Sequence, residues 1–415
     1  MGEKNRREFR TMVGSSATTG VAITGMGVIS AAGAGLAQTL TSLRDGERNA
    51  APVTLFDTAL RHPVFEVRSD LHGARQLGTR SVALALVATE EALQHAGLQG
   101  RLVESRTGVC FGTTVASQLN DIDFYREFRA EGSAPSEAID RFLASNVAEA
   151  VSRSVGASGP CSTVTNACTS GADAIGVALS WLRNGICDVA IAGGADELNH
   201  VPMCGFASLG ILSDSLCAPF DEKREGLNLG EGAGVFVLET STSARRRGLD
   251  PALFLRGYGS AADAFHLTAP RPDGAGLEAA LRRALAEAGL AAEDVSFVNA
   301  HGTSTRDNDS VEAAVLARVF GDAINFLSTK GYTGHTLGAA GAIEAVLSAA
   351  ALREKWVPAS AGFLEQGDDV CIAPLAETTR VDGAHAVSTS LGFGGNNAAL
   401  VICAEEGLRD RMSGS

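Results

Sequence analysis

Two observations predict an α/β fold for this chain. Strand-like runs bounded by glycine alternate with amphipathic helical patterns, and the chain resembles itself at two places. The strand-like runs are Val21–Ile29, Thr107–Phe111, Asp188–Ala192, Val235–Glu239, Val295–Asn299 and Ala386–Thr389. Among the helical patterns, apolar residues from Leu277 to Ala288 recur at helical spacing and stop before Gly289, which is typical of a helix C-terminus. Strands that alternate with helices indicate an α/β architecture.

The chain contains matching segments in the same order. EEALQHAGLQG, around Gly97, resembles RRALAEAGLAA, around Gly289, and each is followed by a strand with a Gly-Thr exit. The stretch SGADAIGVALSWL, which begins at Ser170, resembles LGAAGAIEAVLSAA, which begins at Leu337. One such match could arise by chance between alanine-rich helices, whereas two in the same order favour an internal duplication.

The second match bears on the functional site. It aligns Cys168 with Thr336, next to His335, so these residues would open corresponding helices. If a pseudo-twofold axis relates the two halves, the two helix starts face each other across a shared site.

Length and charge narrow the classes of function. A chain of 415 residues is long enough for two domains or one large fused unit, and its 45% hydrophobic and 20% charged residues are ordinary for a globular protein. The formal net charge of −14 disfavours general affinity for nucleic acid or for an anionic membrane surface. No apolar run approaches the ~18 residues of a membrane-spanning helix, so no membrane span is predicted.

The cysteines indicate a reducing compartment. Eight cysteines are scattered along the chain without a Cys-x-x-Cys pair, so we predict neither a disulfide framework nor a metal site. Residues 1–18 are polar and basic, and glycines interrupt the apolar stretch that follows, which favours an N-terminal tail over a signal peptide. We therefore expect a cytoplasmic protein.

Cys168 is the candidate nucleophile. In TVTNACTSGADAIG it follows a polar strand exit and precedes a helix whose first turn has small residues. The positive end of a helix dipole would lower the pKa of this thiol and favour the thiolate. Most cysteines are buried and inert, and we assign that role to Cys110, Cys187 and Cys403, which lie in or beside strand-like runs.

Two histidines lie in Gly/Thr-rich contexts at strand ends. These are His301 in FVNAHGTST and His335 in STKGYTGHTLGAAGA. Each could simply stabilise a turn, but a nucleophilic cysteine with two histidines at the exits of duplicated strands is a recurrent arrangement for acyl transfer. The neighbouring Lys330 is either an ordinary surface lysine or part of the same site, and Phe393 in SLGFGGNNAAL is either a buried anchor or a movable gate.

Five motifs together resemble one known family. NACTSG, PFDEKREGLNLGEGAG, NAHGTST, STKGYTGHTLGAAGAIEA and SLGFGGNNA, in this order, closely resemble the β-ketoacyl-acyl-carrier-protein synthases of the type I/II class, in the thiolase superfamily. The resemblance extends over Val21–Ile402. It implies a duplicated thiolase-like fold with α/β/α/β/α layers, an N-terminal half over 19–264 that carries the nucleophile, and a C-terminal half over 265–405 that carries both histidines.

The resemblance also implies roles for individual residues. Cys168 would accept the acyl group, and His301 and His335 would hold the malonyl thioester carbonyl and promote decarboxylation. Lys330 and Glu312 would form a supporting charged pair. The remaining implied roles are phosphopantetheine binding by Thr303 and Thr305, gating by Phe393, and an oxyanion hole made by the backbone N–H groups of Cys168 and Phe393.

The implied reaction is the decarboxylative Claisen condensation of malonyl-ACP with an acyl chain on Cys168, which elongates a fatty-acid, polyene or polyketide chain by two carbons. No bound cofactor is implied, because the substrates are carried on the phosphopantetheine of acyl carrier protein. The implied partners are that carrier and either a second copy or a related ketosynthase-like subunit.

Departures from the family pattern bear on the substrate. Leu227-Asn228, Gly331-Tyr332 and Asn396 replace the usual residues, and in these features the chain looks more like ketosynthases of aryl-polyene and related pigment pathways. Gly210 stands where many members have a carrier-binding arginine. Docking would then depend on other basic residues such as Arg75, Arg80, Arg126 and Arg129, each of which could also be an ordinary surface charge.

Two alternatives stay open at this point. A coenzyme A-dependent thiolase would need a second catalytic cysteine late in the chain, but Cys371 and Cys403 lack the expected Cys-x-Gly setting. An inactive or partner-dependent chain-length-determining subunit would resemble a synthase. The inactive kind would lack the nucleophile, which Cys168 provides.

Overall fold

The computed structural model describes residues 20–71, 79–100, 102, 105–114, 122–137, 139–140 and 146–405. The predicted tail over 1–18 and Arg75 lie outside these described residues.

The N-terminal half forms a five-stranded sheet segment with the order β4-β3-β5-β6-β1. Its strands are β1 (Val21–Ser30), β3 (Thr107–Gly112), β4 (Cys161–Val164), β5 (Val189–Asp196) and β6 (Gly232–Glu239), and the short β2 (Gly33–Ala34) pairs with β1. β3 is parallel to β4 and β5, and β6 is antiparallel to β5 and β1. The nearly continuous apolar runs of β1, β3, β5 and β6 match their burial on both faces, whereas β4 at the edge of the sheet is partly exposed.

The C-terminal half repeats this arrangement in the order β9-β8-β12-β13-β7. Its strands are β7 (Leu253–Ala262), β8 (Phe297–Asn299), β9 (Phe326–Leu327), β12 (His385–Gly392) and β13 (Asn396–Ala404), while β10 (Trp356–Val357) and β11 (Thr379–Arg380) form a separate pair. The pairing senses match those of the first half strand for strand. The predicted duplication is therefore confirmed.

Helices cover and separate the two sheet segments. They are α1 (Leu36–Asp45), α2 (Arg80–Ala96), α3 (Ile122–Glu131), α4 (Val147–Val155), α5 (Ser170–Arg183), α6 (His200–Ser208), α7 (Ser241–Arg246), α8 (Ala275–Ala288), α9 (Arg306–Phe320), α10 (Lys330–Thr333) and α11 (Ala340–Glu354). α2 and α4 pack on the outer face of the first segment, and α8 and α9 on the outer face of the second. α5 and α11 pack between the segments, which gives the predicted α/β/α/β/α layers.

The two halves also share a close strand–helix contact. A Cβ added at Gly27 in β1 would lie 1.9 Å from the carbonyl oxygen of Ala88 in α2. In β7, a Cβ at Gly259 would lie 2.0 Å from the carbonyl oxygen of Ala280 in α8. Glycine in each strand therefore allows the outer helix to approach the sheet backbone closely.

The sheet segments meet at a short junction. β1 and β7 pair only at Val21↔Leu255 and Ala22↔Phe254. Beyond it, the side chains of α2 serve as acceptors for β1: Glu91 accepts from the N–H of Val28 at 2.9 Å and His95 from that of Met26 at 3.2 Å. Because β1 and β7 diverge after this junction, none of the described strands pairs with the N–H groups of Met26 and Val28, and the two side chains accept from them instead.

The boundary between the halves was predicted after residue 264, but the second sheet segment already begins before it, with strand β7. β7 (Leu253–Ala262) pairs along its length with β13, the last strand of the second segment.

Within the described ranges, no helix is long and apolar enough to cross a membrane.

Replacement of Gly27 by alanine tests the strand–helix contact. We expect Gly27→Ala to lower the free energy of unfolding by about 1–3 kcal/mol, because the new methyl group would overlap the backbone of α2 and the two elements would have to separate. Urea denaturation followed by circular dichroism measures this change.

Gly205→Ala in α6 is the matched control, because a Cβ there meets nothing within 4 Å. It should leave stability unchanged or raise it slightly. Equal stability of Gly27→Ala and the wild type would show that the contact is looser than described.

Candidate active site

Cys168 lies in a tight turn between β4 and α5. The preceding Ala167 has a φ of +49°, a left-handed conformation that is uncommon for a non-glycine residue. Ser170 stabilises the turn, since its hydroxyl accepts from the N–H of Asn166 at 2.7 Å and donates to the carbonyl of Ala167 at 2.6 Å. The turn places the Cys168 side chain, only 4% exposed, at the start of the central helix.

The expectation that the pKa of Cys168 is lowered is wrong. Burial raises the pKa of this thiol to about 11, although the positive charge of Lys330 and the backbone N–H of Phe393 act in the opposite direction. The loss of hydration outweighs both effects. Cys168 is therefore a neutral thiol at rest, and its deprotonation belongs to the reaction itself.

His301 and His335 lie side by side, with ring centroids 5.2 Å apart and planes at 85°. Nδ1 of His335 accepts from the N–H of Leu337 at 3.2 Å, and Nδ1 of His301 lies 3.0 Å from the Lys330 ammonium. These hydrogen bonds assign the ring proton of each histidine to Nε2.

Both histidines are neutral. Burial lowers the pKa of His301 and His335 well below the ordinary value, and the charge of Lys330 lowers both further. Two uncharged imidazoles thus each keep one Nε2–H available for donation.

Backbone pairing holds His335 in place. Its N–H donates to the carbonyl of Asn228 at 2.8 Å, and its carbonyl accepts from Gly230 at 3.0 Å. The REGLNLGEG motif therefore supports the histidine through main-chain bonds, and Asn228, one of the unusual residues, is fully buried within it.

Lys330 pairs with Glu344 and not, as predicted, with Glu312. Its ammonium contacts Glu344 in α11 and donates to the carbonyl of His301 at 2.6 Å. Glu312 accepts from the N–H groups of His301 and Gly302, each at 2.8 Å, so it fixes the backbone that carries the histidine. Burial raises the pKa of Glu344 to about 7, and the ammonium of Lys330 opposes this rise.

The Phe393 turn lies directly beside Cys168. A Cβ at Gly392 would lie 3.2 Å from the Cys168 nitrogen, so glycine allows the end of β12 to reach the nucleophile. The backbone N–H of Phe393 also acts on the Cys168 thiol, since it favours the thiolate and so opposes the rise of its pKa. The ring of Phe393 stacks on Phe206 of α6, with centroids 5.4 Å apart, and its carbonyl accepts from the Asn396 side chain at 3.1 Å.

Two cavities meet at Cys168. One, of about 500 Å³, is also lined by both histidines and by Thr303 and Thr305, whose hydroxyl oxygens are 2.8 Å apart. The other, of about 780 Å³, extends along α6. Phe206 and Phe393 line both cavities, so their stacked rings stand at the boundary between the two spaces.

The structure thus brings together every residue predicted for the site: Cys168, His301, His335, Lys330, Phe393, Thr303 and Thr305, with Glu312 behind His301. Sequence reasoning missed Glu344 and Phe206. The available signal for Glu344 was an acidic residue in the middle of the apolar, alanine-rich part of α11, since the other acidic residue, Glu354, is at the helix end. Phe206 had none.

Arg80 is not available for docking a partner. Its side chain is 11% exposed and pairs with the buried Glu231. This pair makes Arg80 a structural residue.

Across the described residues, no cluster of histidine, cysteine and acidic side chains could hold a metal ion.

The layers and the buried cysteine–histidine site define a thiolase-like condensing enzyme. Sequence models named "Beta-ketoacyl synthase, N-terminal domain" and "Beta-ketoacyl synthase, C-terminal domain" match residues 18–244 and 253–364. The chain belongs to the beta-ketoacyl synthase family. It is a condensing ketosynthase, an acyltransferase that forms a carbon–carbon bond.

Individual relatives agree with this assignment. The chain is 34% identical to 3-oxoacyl-[acyl-carrier-protein] synthase 2 of Staphylococcus aureus (strain COL), over 92% of this chain and 97% of that protein. It is 33% identical to the ketoacyl synthase alpha subunit of the tetracenomycin polyketide synthase of Streptomyces glaucescens, over 92% and 96%. Among solved structures, the ishigamide ketosynthase/chain length factor superposes with a TM-score of 0.89 at 31% identity, over 94% of this chain and 100% of that chain.

The raised pKa of Cys168 predicts the pH dependence of its alkylation. Because the thiolate fraction grows about tenfold per pH unit below the pKa, the rate of iodoacetamide modification should rise throughout the range from pH 7 to 9. Peptide mass mapping after timed exposure isolates Cys168 from the other cysteines. A rate that levels off below pH 8 would instead indicate the lowered pKa expected from the helix start alone.

Proposed function

We propose that this chain is an active 3-oxoacyl-ACP synthase in which Cys168 carries the growing acyl chain and His301 and His335 act on the malonyl unit. The main support is the position of Cys168, where two cavities meet beside two neutral histidines. The cavity that contains the histidines and threonines has the more polar lining, which suits a carrier arm, and the cavity along α6 has the more apolar lining, which suits an acyl chain.

The first half-reaction transfers the acyl group. The Cys168 sulfur attacks the thioester carbonyl of an acyl carrier, the bond to the carrier sulfur breaks, and the thiol proton ends on the released carrier thiol. The tetrahedral oxyanion formed on the way would accept hydrogen bonds from the N–H groups of Cys168 and Phe393, which lie on adjacent segments. Such preorganised donors typically contribute about 10²–10³ in rate each.

The second half-reaction generates the nucleophile. The bond between the malonyl α-carbon and its carboxylate breaks, CO₂ leaves, and the electron pair is shared between that carbon and the thioester oxygen. The Nε2–H groups of His301 and His335 would donate to this oxygen. A neutral ring accepts at Nδ1 and donates from Nε2, and the lowered pKa values of His301 and His335 favour this form of both rings.

Condensation completes the cycle. The carbanion attacks the carbonyl of acyl-Cys168, the bond to the Cys168 sulfur breaks, and the thiolate takes up a proton. The product is a 3-oxoacyl thioester two carbons longer. Lys330 touches His301 and would act by fixing that ring rather than by contacting substrate.

The carrier arm would enter through the cavity that contains Thr303 and Thr305. Their paired hydroxyls offer hydrogen bonds to the amides of a phosphopantetheine arm, and substrates would arrive on acyl carrier protein without a bound cofactor. Phe393 would act as a gate, because entry of a chain between the two cavities requires its ring to leave Phe206.

A related subunit is the proposed second component. The solved ishigamide protein pairs a ketosynthase with a chain length factor, and the likeness to it favours a heterodimer over a homodimer here. Retention of Cys168 argues against the inactive role within such a pair. The pathway we propose is polyene or polyketide synthesis, with fatty-acid synthesis as the alternative, in the cytoplasm.

The positions of Cys371 and Cys403 do not support the thiolase alternative, which needs a second cysteine at the site. Cys403 is fully buried in β13, and Cys371 is exposed in a loop. Neither lines the two cavities at Cys168.

Loss of the nucleophile provides the direct test. Incubated with hexanoyl-ACP, the wild type should gain the mass of one hexanoyl group, and Cys168→Ala should gain none. With malonyl-ACP added, only the wild type should release 3-oxooctanoyl-ACP. Intact-mass spectrometry measures both. Absence of adduct from folded wild type, also after co-expression with a chain-length-factor-like subunit, would contradict the proposed activity.

Removal of one histidine should separate the two half-reactions. We expect His335→Ala to form the hexanoyl adduct but to condense it with malonyl-ACP about 10²–10³ times more slowly, because one donor to the developing oxyanion is lost. His385→Ala, outside both cavities, is the control with unchanged rates. If His335→Ala slowed formation of the hexanoyl adduct as much as it slowed formation of the product, His335 would act in acylation instead.

A further inference from the structure

A hydrogen-bond cluster beneath the Cys168 turn connects the two halves of the protein. Its centre is Asp173 in α5, which is nearly buried. The carboxylate of Asp173 accepts from the Asn166 side-chain amide at 2.6 Å, the Thr169 hydroxyl at 2.7 Å and the Tyr258 hydroxyl at 2.7 Å. All three donors are uncharged, and two of them flank Cys168 in the sequence.

The two local donors brace a strained turn. Ala167 has its left-handed φ between Asn166 and Cys168. The Asn166 amide also reaches the Thr169 hydroxyl at 3.0 Å. A strained backbone conformation persists where several interactions hold it in place. Asp173 provides two of them, because it bonds to Asn166 before Ala167 and to Thr169 after it.

The third donor comes from the other half. Tyr258 lies in β7, and its ring packs over Gly176 of α5, where a Cβ would lie 2.5 Å from the ring. Only glycine leaves room for the ring at this position, and from there the hydroxyl reaches Asp173.

Tyr258 belongs to the same sheet segment as Phe393. In the register of the sheet, Tyr258 is opposite Leu400 of β13, and β13 pairs with β12, which ends at Gly392 next to Phe393. The Tyr258–Asp173 bond therefore ties α5, the helix that follows Cys168, to the sheet segment whose strand β12 leads to Phe393.

We infer that the bond between Tyr258 and Asp173 sets the separation of the two oxyanion donors, the N–H groups of Cys168 and Phe393, which belong to different halves. Tyr258 and Asp173 are positioning residues in this role and do not contact substrate. The inference rests on the proposed function, and it concerns acyl transfer to Cys168.

This role predicts a split between the half-reactions. Acylation forms a tetrahedral oxyanion at the donors near Cys168, whereas malonyl decarboxylation places its charge at His301 and His335. Loss of the Tyr258 hydroxyl should slow the first and spare the second. A general loss of structure would slow both.

The test uses Tyr258→Phe and Asp173→Asn. Acylation is followed in single turnovers with hexanoyl-ACP by intact mass, and decarboxylation as CO₂ release from malonyl-ACP in a Cys168→Ala background, where no condensation follows. We expect both variants to be acylated about 10–100 times more slowly at saturating hexanoyl-ACP, because small errors of placement have effects of this size. Decarboxylation should stay within about twofold of the matching background.

The matched control is Thr24→Val, which removes a hydroxyl in β1 that donates to the carboxylate of the buried Glu239 at 2.7 Å, away from the Cys168 turn. It should keep wild-type acylation while losing a comparable hydrogen bond, and melting temperatures of all variants show whether stability changes equally.

Each outcome has one meaning. Wild-type acylation by Tyr258→Phe would overturn the positioning role and leave the proposed function intact. Equal loss of acylation and decarboxylation would also overturn it, as a sign of general disruption. A wild type that is neither acylated nor able to decarboxylate malonyl-ACP would overturn the proposed function, and the inference with it.

Discussion

The contact between α5 and α11 is the constraint on which the rest of the structure depends. At Gly171 in α5 an added Cβ would lie 3.0 Å from the Cβ of Ala342 in α11, and at Gly341 in α11 it would lie 2.9 Å from the Cβ of Ala172 in α5. Only small side chains allow the two central helices to approach so closely. Because each helix starts just after a key residue, this contact brings Cys168 and His335 to one place, as the pseudo-twofold relation requires.

The site inside this contact is almost free of net charge. Burial raises the pKa of Cys168 and lowers those of His301 and His335, so all three are uncharged at rest. Lys330 and Glu344 form the buried ion pair behind them. In such a weakly screening interior, a negative charge that develops during reaction interacts strongly with fixed N–H donors, since little water competes for it.

Local sequence predicts local features well and long-range partners poorly. The alternation of elements, the duplication and the placement of Cys168 beside two histidines follow from patterns within short segments. The partner of Lys330 does not, because Glu312 and Glu344 lie on different helices and only tertiary packing decides which carboxylate it meets. The pKa of Cys168 was mispredicted for the same reason: the helix start is local, whereas burial comes from the whole fold.

The division of the site between the halves has an evolutionary consequence. Cys168 belongs to the first half, while His301, His335 and Phe393 belong to the second, so neither half by itself contains a complete set. An ancestral chain of half this length, before its gene was duplicated and fused, would have needed two copies to assemble such a centre. In the present chain neither half can lose its contribution, the nucleophile in the first and the histidines in the second, without loss of the whole site.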